Sequence, residues 1–250
     1  MKKHSKKEIL KNIIAYQLSK VAPKNFKILI NLKNGIKYIV RARTMDRSVI
    51  KEVWLENIYA NNDIKVEKGD TVIDIGAHIG VFSIYAAELS QTGKVYAFEP
   101  FIDNFAMLEK HKAINKKDNL LVYNKGVSNT SGTQTLYLSP DNNTGGHSLH
   151  LKNFSSKTID IKTVTLKSFC DTERIDKIDF LKMDCEGSEF EIIQSDEAIL
   201  QRVNKLIMEC HPYNGNTVQK MVSTLETNGF KVTRKSNNSP EGIEMLYAIK

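Results

Sequence analysis

From Thr71 onward the chain alternates short apolar runs with stretches of helical periodicity. Val72–Ile75, Val95–Phe98, Leu120–Tyr123, Ile178–Met183 and Leu206–Glu209 read as buried strands. Helices are expected over Val81–Leu89, from about Asn104 to Ile114, over Glu189–Leu200 and over Thr217–Asn228. Thr135–Leu138 and Ile159–Val164 are strand-like and flank a polar loop from Ser139 to Ser156, long enough to be a binding loop. Phe230–Thr233 and Met245–Ile249 read as a closing antiparallel pair. This order predicts an α/β fold: a mostly parallel sheet, helices on both faces, and an antiparallel pair at the C-terminal end.

Upstream the pattern changes. Ile9, Leu10, Ile13, Ile14 and Leu18 recur at helical spacing and predict one amphipathic helix that Pro23 ends. Lys27 to Val40 alternates around Asn34-Gly35, a hairpin signal, and a further helix is expected from about Ser48 to Tyr59. The chain therefore divides into a small helix/hairpin cap over residues 1–60 and a main domain over 61–250.

Charge sharpens that division. Residues 1–51 hold 14 Lys or Arg against 2 acids, whereas the remainder holds 22 against 27. The basic character belongs to the leader, which could meet an anionic surface, a phosphorylated substrate or nucleic acid, or simply solubilise the chain. No apolar run is long enough to span a membrane and no signal-peptide pattern opens the chain, so a cytoplasmic location is expected. Cys170, Cys185 and Cys210 are scattered, which argues against a disulfide framework or a structural zinc site.

The first apolar run leads straight into Asp74-Ile75-Gly76-Ala77-His78-Ile79-Gly80. In a doubly wound sheet a ligand sits at the carboxyl ends of the strands. Gly76 lets the backbone turn sharply there, and Gly80 lets the next helix approach closely. Glu99 follows 19 residues after Gly80, again at a strand end, placed to accept hydrogen bonds from two ribose hydroxyls, with Phe101 beyond it to pack on a purine. A pyrophosphate site wants GxGxxG, but His78 occupies the middle of a GxxxG spacing. The turn therefore suits a nucleoside cofactor lacking pyrophosphate, with Asp74 and His78 beside it.

A second cluster lies at Asp179-Phe180-Leu181-Lys182-Met183-Asp184-Cys185-Glu186-Gly187-Ser188-Glu189. Lys182 and Asp184 share one face of a buried strand, so they must be paired or reach the open strand end. Acids at Glu186 and Glu189 suit the following helix N-terminus. Glu209-Cys210-His211-Pro212 brings His211 to the same side, either as a proton acceptor or as a structural partner of Glu209.

Taken together, Asp74–Gly80, Phe98-Glu99-Pro100, the Lys182–Glu189 block and Glu209–Pro212, with Arg43, Asp46 and Tyr59 upstream, resemble the FkbM family of class I methyltransferases across about residues 40–212. The resemblance implies a Rossmann-like methyltransferase sheet, S-adenosylmethionine as cofactor, and O-methylation of a hydroxyl on a sugar, glycan or natural product. On that reading Asp74, Gly76, His78, Gly80, Glu99 and Phe101 bind cofactor, while Lys182, Asp184, Glu186 and His211 carry the transfer. A divalent metal is chemically compatible with the acids, although no residue pattern in the sequence specifically calls for one. Two alternatives compete: an RNA or amine methyltransferase drawn by the basic leader, and a non-catalytic nucleoside-binding scaffold. Nucleic acid is disfavoured, because the segment after the fourth strand lacks the proline turn that holds a planar nitrogen.

Overall fold

The structure, a computed structural model, describes residues 4–24, 26–61, 63–140, 143–150, 157–236 and 242–250. Its sheet forms from the apolar runs. β3 (Val72–Ile75), β4 (Val95–Phe98), β5 (Leu120–Tyr123) and β9 (Ile178–Met183) match the expected runs residue for residue. β10 (Val203–Cys210), β11 (Lys231–Ser236) and β12 (Glu244–Ile249) complete a seven-stranded sheet in the order β11-β12-β10-β9-β3-β4-β5. β5, β4, β3, β9 and β10 are parallel, and β12 runs antiparallel to both of its neighbours. The chain leaves β3 toward β4 and β5, then returns to β3's other side at β9. That reversal opens a crevice at the carboxyl ends of β3, β4 and β9.

Strand alternation assigns the two faces of the sheet. Val72, Ala97, Phe180 and Ile207 join one apolar cluster, and Ile73, Phe98, Leu181 and Leu206 join the other. The second face is covered by α6 (Leu166–Glu173), α7 (Glu189–Ser195) and α8 (Val218–Thr227). The first is covered by α4 (Val81–Ser90), α5 (Ile102–Ile114) and much of the N-terminal segment, including Leu10, Tyr16, Ile30, Tyr38, Ile50 and Val53. The N-terminal segment thus shares one core with the sheet.

That segment departs from its periodicity. In place of one helix it folds as α1 (Lys6–Ile9) and α2 (Ile13–Leu18). Leu10 forms a β-bridge with Leu32, the Lys11 amide donates to Asn31 and the Lys33 amide donates to Ile9, which pulls the chain out of helical geometry. β1 (Lys27–Asn31) and β2 (Lys37–Arg41) form the expected hairpin. The expected helix near 48–59 is α3 (Asp46–Ile50), which runs into a π-helical turn at Lys51–Glu56 and stops at Asn57, whose φ is 52°. A π turn widens the helix and re-aims its side chains, a distortion often found beside functional sites.

β6 (Gly126–Val127), β7 (Gly132–Tyr137) and β8 (Thr158–Val164) make a small sheet beside the crevice. The polar loop joins β7 to β8; its residues 141, 142 and 151–156 lie outside the described residues. Among the described residues no helix is long and apolar enough to cross a membrane.

Candidate active site

The crevice is a cavity of about 530 Å³. Its lining draws on the turn after β3 (Gly76, Ala77, His78), on Glu99, on the ends of β9 and β10 (Lys182, Asp184, Glu186, Glu209, His211), and on the cap and the polar loop. Residues separated by up to 198 positions of sequence, from Met45 to Ile243, meet there, most of them because five parallel strands end on the same edge.

At the first turn the Gly76 and Ala77 amides donate to the Phe98 carbonyl at 3.2 and 2.9 Å. A Cβ at position 76 would lie 1.8 Å from the Asp184 carbonyl oxygen, so only glycine lets the ends of β3 and β9 meet. The Glu99 carboxylate accepts the His78 amide at 2.7 Å through one oxygen and the Phe101 amide at 2.9 Å through the other. Burial pushes this carboxyl above its usual range, against the His78 charge and those two amides. Each oxygen retains a second acceptor site.

Around that turn a buried polar network ties four parts of the chain together. Arg41 grips the fully buried Asp46 through two side-chain bonds of 2.9 and 2.8 Å and donates to Asn104 at 2.7 Å. Thr144 of the polar loop donates to Asp46 at 2.9 Å and meets His78 Nε2 at 3.0 Å, while Asn104 donates to the Thr144 carbonyl at 2.8 Å. Burial alone would raise the Asp46 carboxyl, yet His78 and Arg41 hold it well below the ordinary carboxylate range. His78 Nδ1 is buried with no hydrogen-bond partner among the described residues.

Three expected cofactor residues stand behind the lining. Asp74 is fully buried, accepts from Ser83 Oγ at 2.6 Å and pairs with Lys182 Nζ at 3.1 Å. At Gly80 a Cβ would strike Leu108, so this glycine lets α4 close on α5. Phe101 packs its ring on His147, 4.3 Å between centroids, and it is His147 that faces the cavity. Upstream, Arg43 donates to the Val21 and Ala22 carbonyls at 2.9 Å; it is Arg41 that pairs with Asp46.

Comparison with known proteins supplies the family. The methyltransferase FkbM domain matches residues 74–232, well over half of the chain. The chain belongs to the FkbM methyltransferase family. It is an S-adenosylmethionine-dependent methyltransferase, an enzyme rather than a binding scaffold. It is 26% identical to the hexuronic acid methyltransferase AglP of Haloferax volcanii, over 65% of this chain and 67% of that protein. It is 24% identical to the 31-O-demethyl-FK506 methyltransferase FkbM of Streptomyces tacrolimicus, over 78% of this chain and 85% of that one. The AMB antimetabolite synthetase AmbE of Pseudomonas aeruginosa is 25% identical over 81% of this chain, but the chain spans only 11% of that protein's length.

In this FkbM enzyme the opposite wall is acidic. Tyr59 donates to Asp184 Oδ2 at 3.1 Å, and Lys182 Nζ lies 3.8 Å from the same oxygen. Burial would discharge Lys182, but Asp74 and Asp184 keep its ammonium above the usual value. His211 is clasped on both sides: Nδ1 lies 3.1 Å from Glu189 and Nε2 lies 3.6 Å from Glu186. Burial opposes its charge, but Glu189, then Glu186 and Asp184, raise its pKa well above the ordinary imidazole value. Glu189 also accepts the Cys185 and Gly187 amides at 2.9 and 3.0 Å, so it shapes the loop as well as orienting His211. His211 thus pairs with Glu189 at the start of α7, 22 residues earlier in the chain, where the sequence pointed to Glu209.

Three carboxyls on this wall are pushed up, in each case chiefly by burial. Glu186 reaches about 7 despite His211, Glu52 about 7 with Asp184 adding to burial, and Glu209 about 8 with Asp184 adding again. Asp184, Glu186 and His211 also bring ligand atoms within 4.8 Å of one another, an oxygen and nitrogen donor set that suits a divalent cation. Sequence reasoning missed Glu52, which reaches the cavity through the π turn, and the roles of Arg41, Asn104 and Thr144. The buried charge of Asp46 was the available signal, since a buried carboxylate requires a cation.

Proposed function

We propose that this enzyme methylates a hydroxyl of a sugar, glycan or natural product, with residues 61–250 as its catalytic domain and residues 1–60 as a cap that completes the cavity. The observation that carries the reading is one cavity that sets the glycine turn and Glu99 opposite Asp184 and Glu186, with His211 Nε2 3.6 Å from Glu186, whose carboxyl burial pushes up to about 7. A hydroxyl must lose its proton as it attacks, and a base poised near neutrality is suited to take it. The relatives AglP, a hexuronic acid methyltransferase, and FkbM, a 31-O-demethyl-FK506 methyltransferase, support an oxygen acceptor.

The donor half of the cavity fits S-adenosylmethionine. Glu99 keeps acceptor sites for ribose hydroxyls, His78 Nδ1 has no hydrogen-bond partner among the described residues, and apolar Val127, Leu136 and Ile161 line the space nearby. When bound, the cofactor supplies an activated methyl on a sulfonium centre. The chain's own work is to place the acceptor oxygen about 3–3.5 Å from that methyl and to remove its proton. Glu186 takes the proton. His211, charged and anchored by Glu189, orients Glu186, and Lys182 with Tyr59 fixes Asp184 beside the acceptor. Glu52, Asp184, Glu186 and Glu209 line the acceptor side, where carboxyls can accept hydrogen bonds from, or when protonated donate them to, the hydroxyls of a polyhydroxylated compound.

The test is methyl transfer from S-adenosylmethionine to neutral sugars, uronates and polyketide-type alcohols, followed by mass spectrometry. Glu186→Gln is expected to bind cofactor as the wild type does and to lower transfer by about 10²–10⁴-fold. Full turnover by both Glu186→Gln and Asp184→Asn would refute the assignment. The Asp184–Glu186–His211 donor set favours a second reading, in which a divalent cation holds the acceptor oxygen. Turnover that survives exhaustive chelation assigns the cluster to proton transfer; turnover restored only by Mg²⁺ assigns it to the metal.

A further inference from the structure

Seven large apolar side chains are exposed among the described residues, and five of them fall between positions 14 and 29. They are Ile14, Leu18, Val21, Phe26 and Leu29, at 77, 50, 61, 58 and 45% exposure. None is a frayed end. α2 turns Tyr16 into the core, so Ile14 and Leu18, four residues apart, share its outer face. β1 buries Ile30 and leaves Leu29 and Lys27 outward. The Asn12 side chain joins α2 to β1 by donating to the Leu29 carbonyl at 2.9 Å and accepting the Asn31 amide at 2.8 Å. Arg43 fixes the turn after α2 through the Val21 and Ala22 carbonyls, and the Phe26 carbonyl accepts the Ala42 amide at 2.9 Å.

Cations are interspersed with these side chains along the same segment. Lys11, Lys20, Lys24 and Lys27 are exposed, and the chain has no acid between Glu8 and Asp46. We propose that this face docks the enzyme on an anionic lipid bilayer, with Ile14, Leu18, Val21, Phe26 and Leu29 entering the headgroup boundary and the lysines meeting acidic headgroups. Each competing occupant uses only half of the face. Nucleic acid would engage the lysines and leave five apolar side chains in water. A second copy meeting the same face would bring two basic segments together, because a two-fold contact puts each patch on itself. An anionic membrane surface uses both features at once, by apolar burial and by attraction of each lysine near the headgroups.

The experiment is co-sedimentation of the full chain with vesicles of phosphatidylserine and phosphatidylcholine, and with phosphatidylcholine alone. Two variants accompany it: Ile14→Ser/Leu18→Ser/Phe26→Ser and Lys20→Glu/Lys24→Glu/Lys27→Glu. All six positions are exposed, so melting temperature and S-adenosylmethionine binding are expected to stay at wild-type values. Wild type is expected to pellet with the anionic vesicles at least about tenfold more than with neutral ones, with high salt releasing it. Each variant is expected to lose most of that binding. Wild type remaining in the supernatant with anionic vesicles would overturn the proposal. So would anionic binding retained by both variants, or a dimer in solution that only the serine variant dissociates.

Discussion

The two walls of the cavity are built on opposite electrostatic terms. Around the glycine turn every charge is answered: Asp46 by Arg41, Thr144 and His78, Glu99 by two amides, Asp74 by Ser83 and Lys182. On the β9–β10 side Glu52, Asp184, Glu186 and Glu209 face a single clasped imidazolium and a lysine already committed to Asp74, and three of the four are pushed toward their neutral forms. The first wall is a finished polar network, which holds one geometry. The second buries its carboxyls, and that burial, with a smaller push from Asp184, raises them, which is how a fold prepares a group for proton transfer near neutral pH.

Breaking the second wall carries the largest expected effect. Glu186→Gln should lower turnover by about 10²–10⁴-fold. In the wild type, kcat/KM should climb as pH rises through about 7, because the carboxyl must lose its proton before it can accept one. A pH profile from about 5 to 9 checks both, and an unchanged ascending limb in the variant would dismiss Glu186 as the base.

Asp46→Ala attacks the first wall and leaves the half-buried Arg41 without its carboxylate. The expected loss is about 3–5 kcal/mol of stability, read by urea denaturation. Because the folded carboxyl lies below its unfolded value, that contribution is full above about pH 3.9 and disappears on acidification. A variant with the wild-type midpoint would show the network to be dispensable.

Glu99→Gln removes charge but not shape. S-adenosylmethionine affinity should weaken about 10- to 100-fold, the value of one or two charge-assisted hydrogen bonds, with kcat at saturation little changed. Calorimetry decides it, and a collapse of kcat with affinity intact would contradict the assignment to binding.

The smallest effect should have the opposite sign. Glu209 sits at about 8 in the fold against about 4.3 in an unfolded chain, so its ionisation weakens the fold progressively as pH rises between those values. Glu209→Gln should therefore stabilise by about 0.5–2 kcal/mol at alkaline pH and give nothing below about pH 4.3. Destabilisation at pH 8 would mean that this wall is not strained.

Much of the scaffold was legible because local and global demands agreed. β3, β4 and β9 are mostly apolar runs buried on both faces, and β5 is a short apolar run half-buried at the sheet edge, so their ends are unambiguous. Where a tertiary contact overrides local preference the reading failed. Leu10 leaves its helix to bridge Leu32, and the π turn at Lys51–Glu56 cannot be told from an ordinary helix by periodicity. α6 escaped for a different reason: only Leu166, Phe169 and Cys170 are buried, too few to outweigh its polar remainder, although Thr165 caps it. In the site, Gly76, Glu99, Glu186 and His211 were legible because they sit at strand ends. Arg41 and Thr144 were not, since their partner Asp46 is brought to them only by the fold.

The meeting of Gly76 with the Asp184 carbonyl joins the two walls main chain to main chain. No rotamer stands between them, so the gap across the cavity is as stiff as peptide geometry itself. Alanine at 76 would act as a wedge rather than a lost contact, prising the ends of β3 and β9 apart by more than an ordinary side-chain adjustment can absorb. The resulting protein would hold donor and acceptor on separate banks, each bound and neither within reach. What the absent side chain sets is a distance.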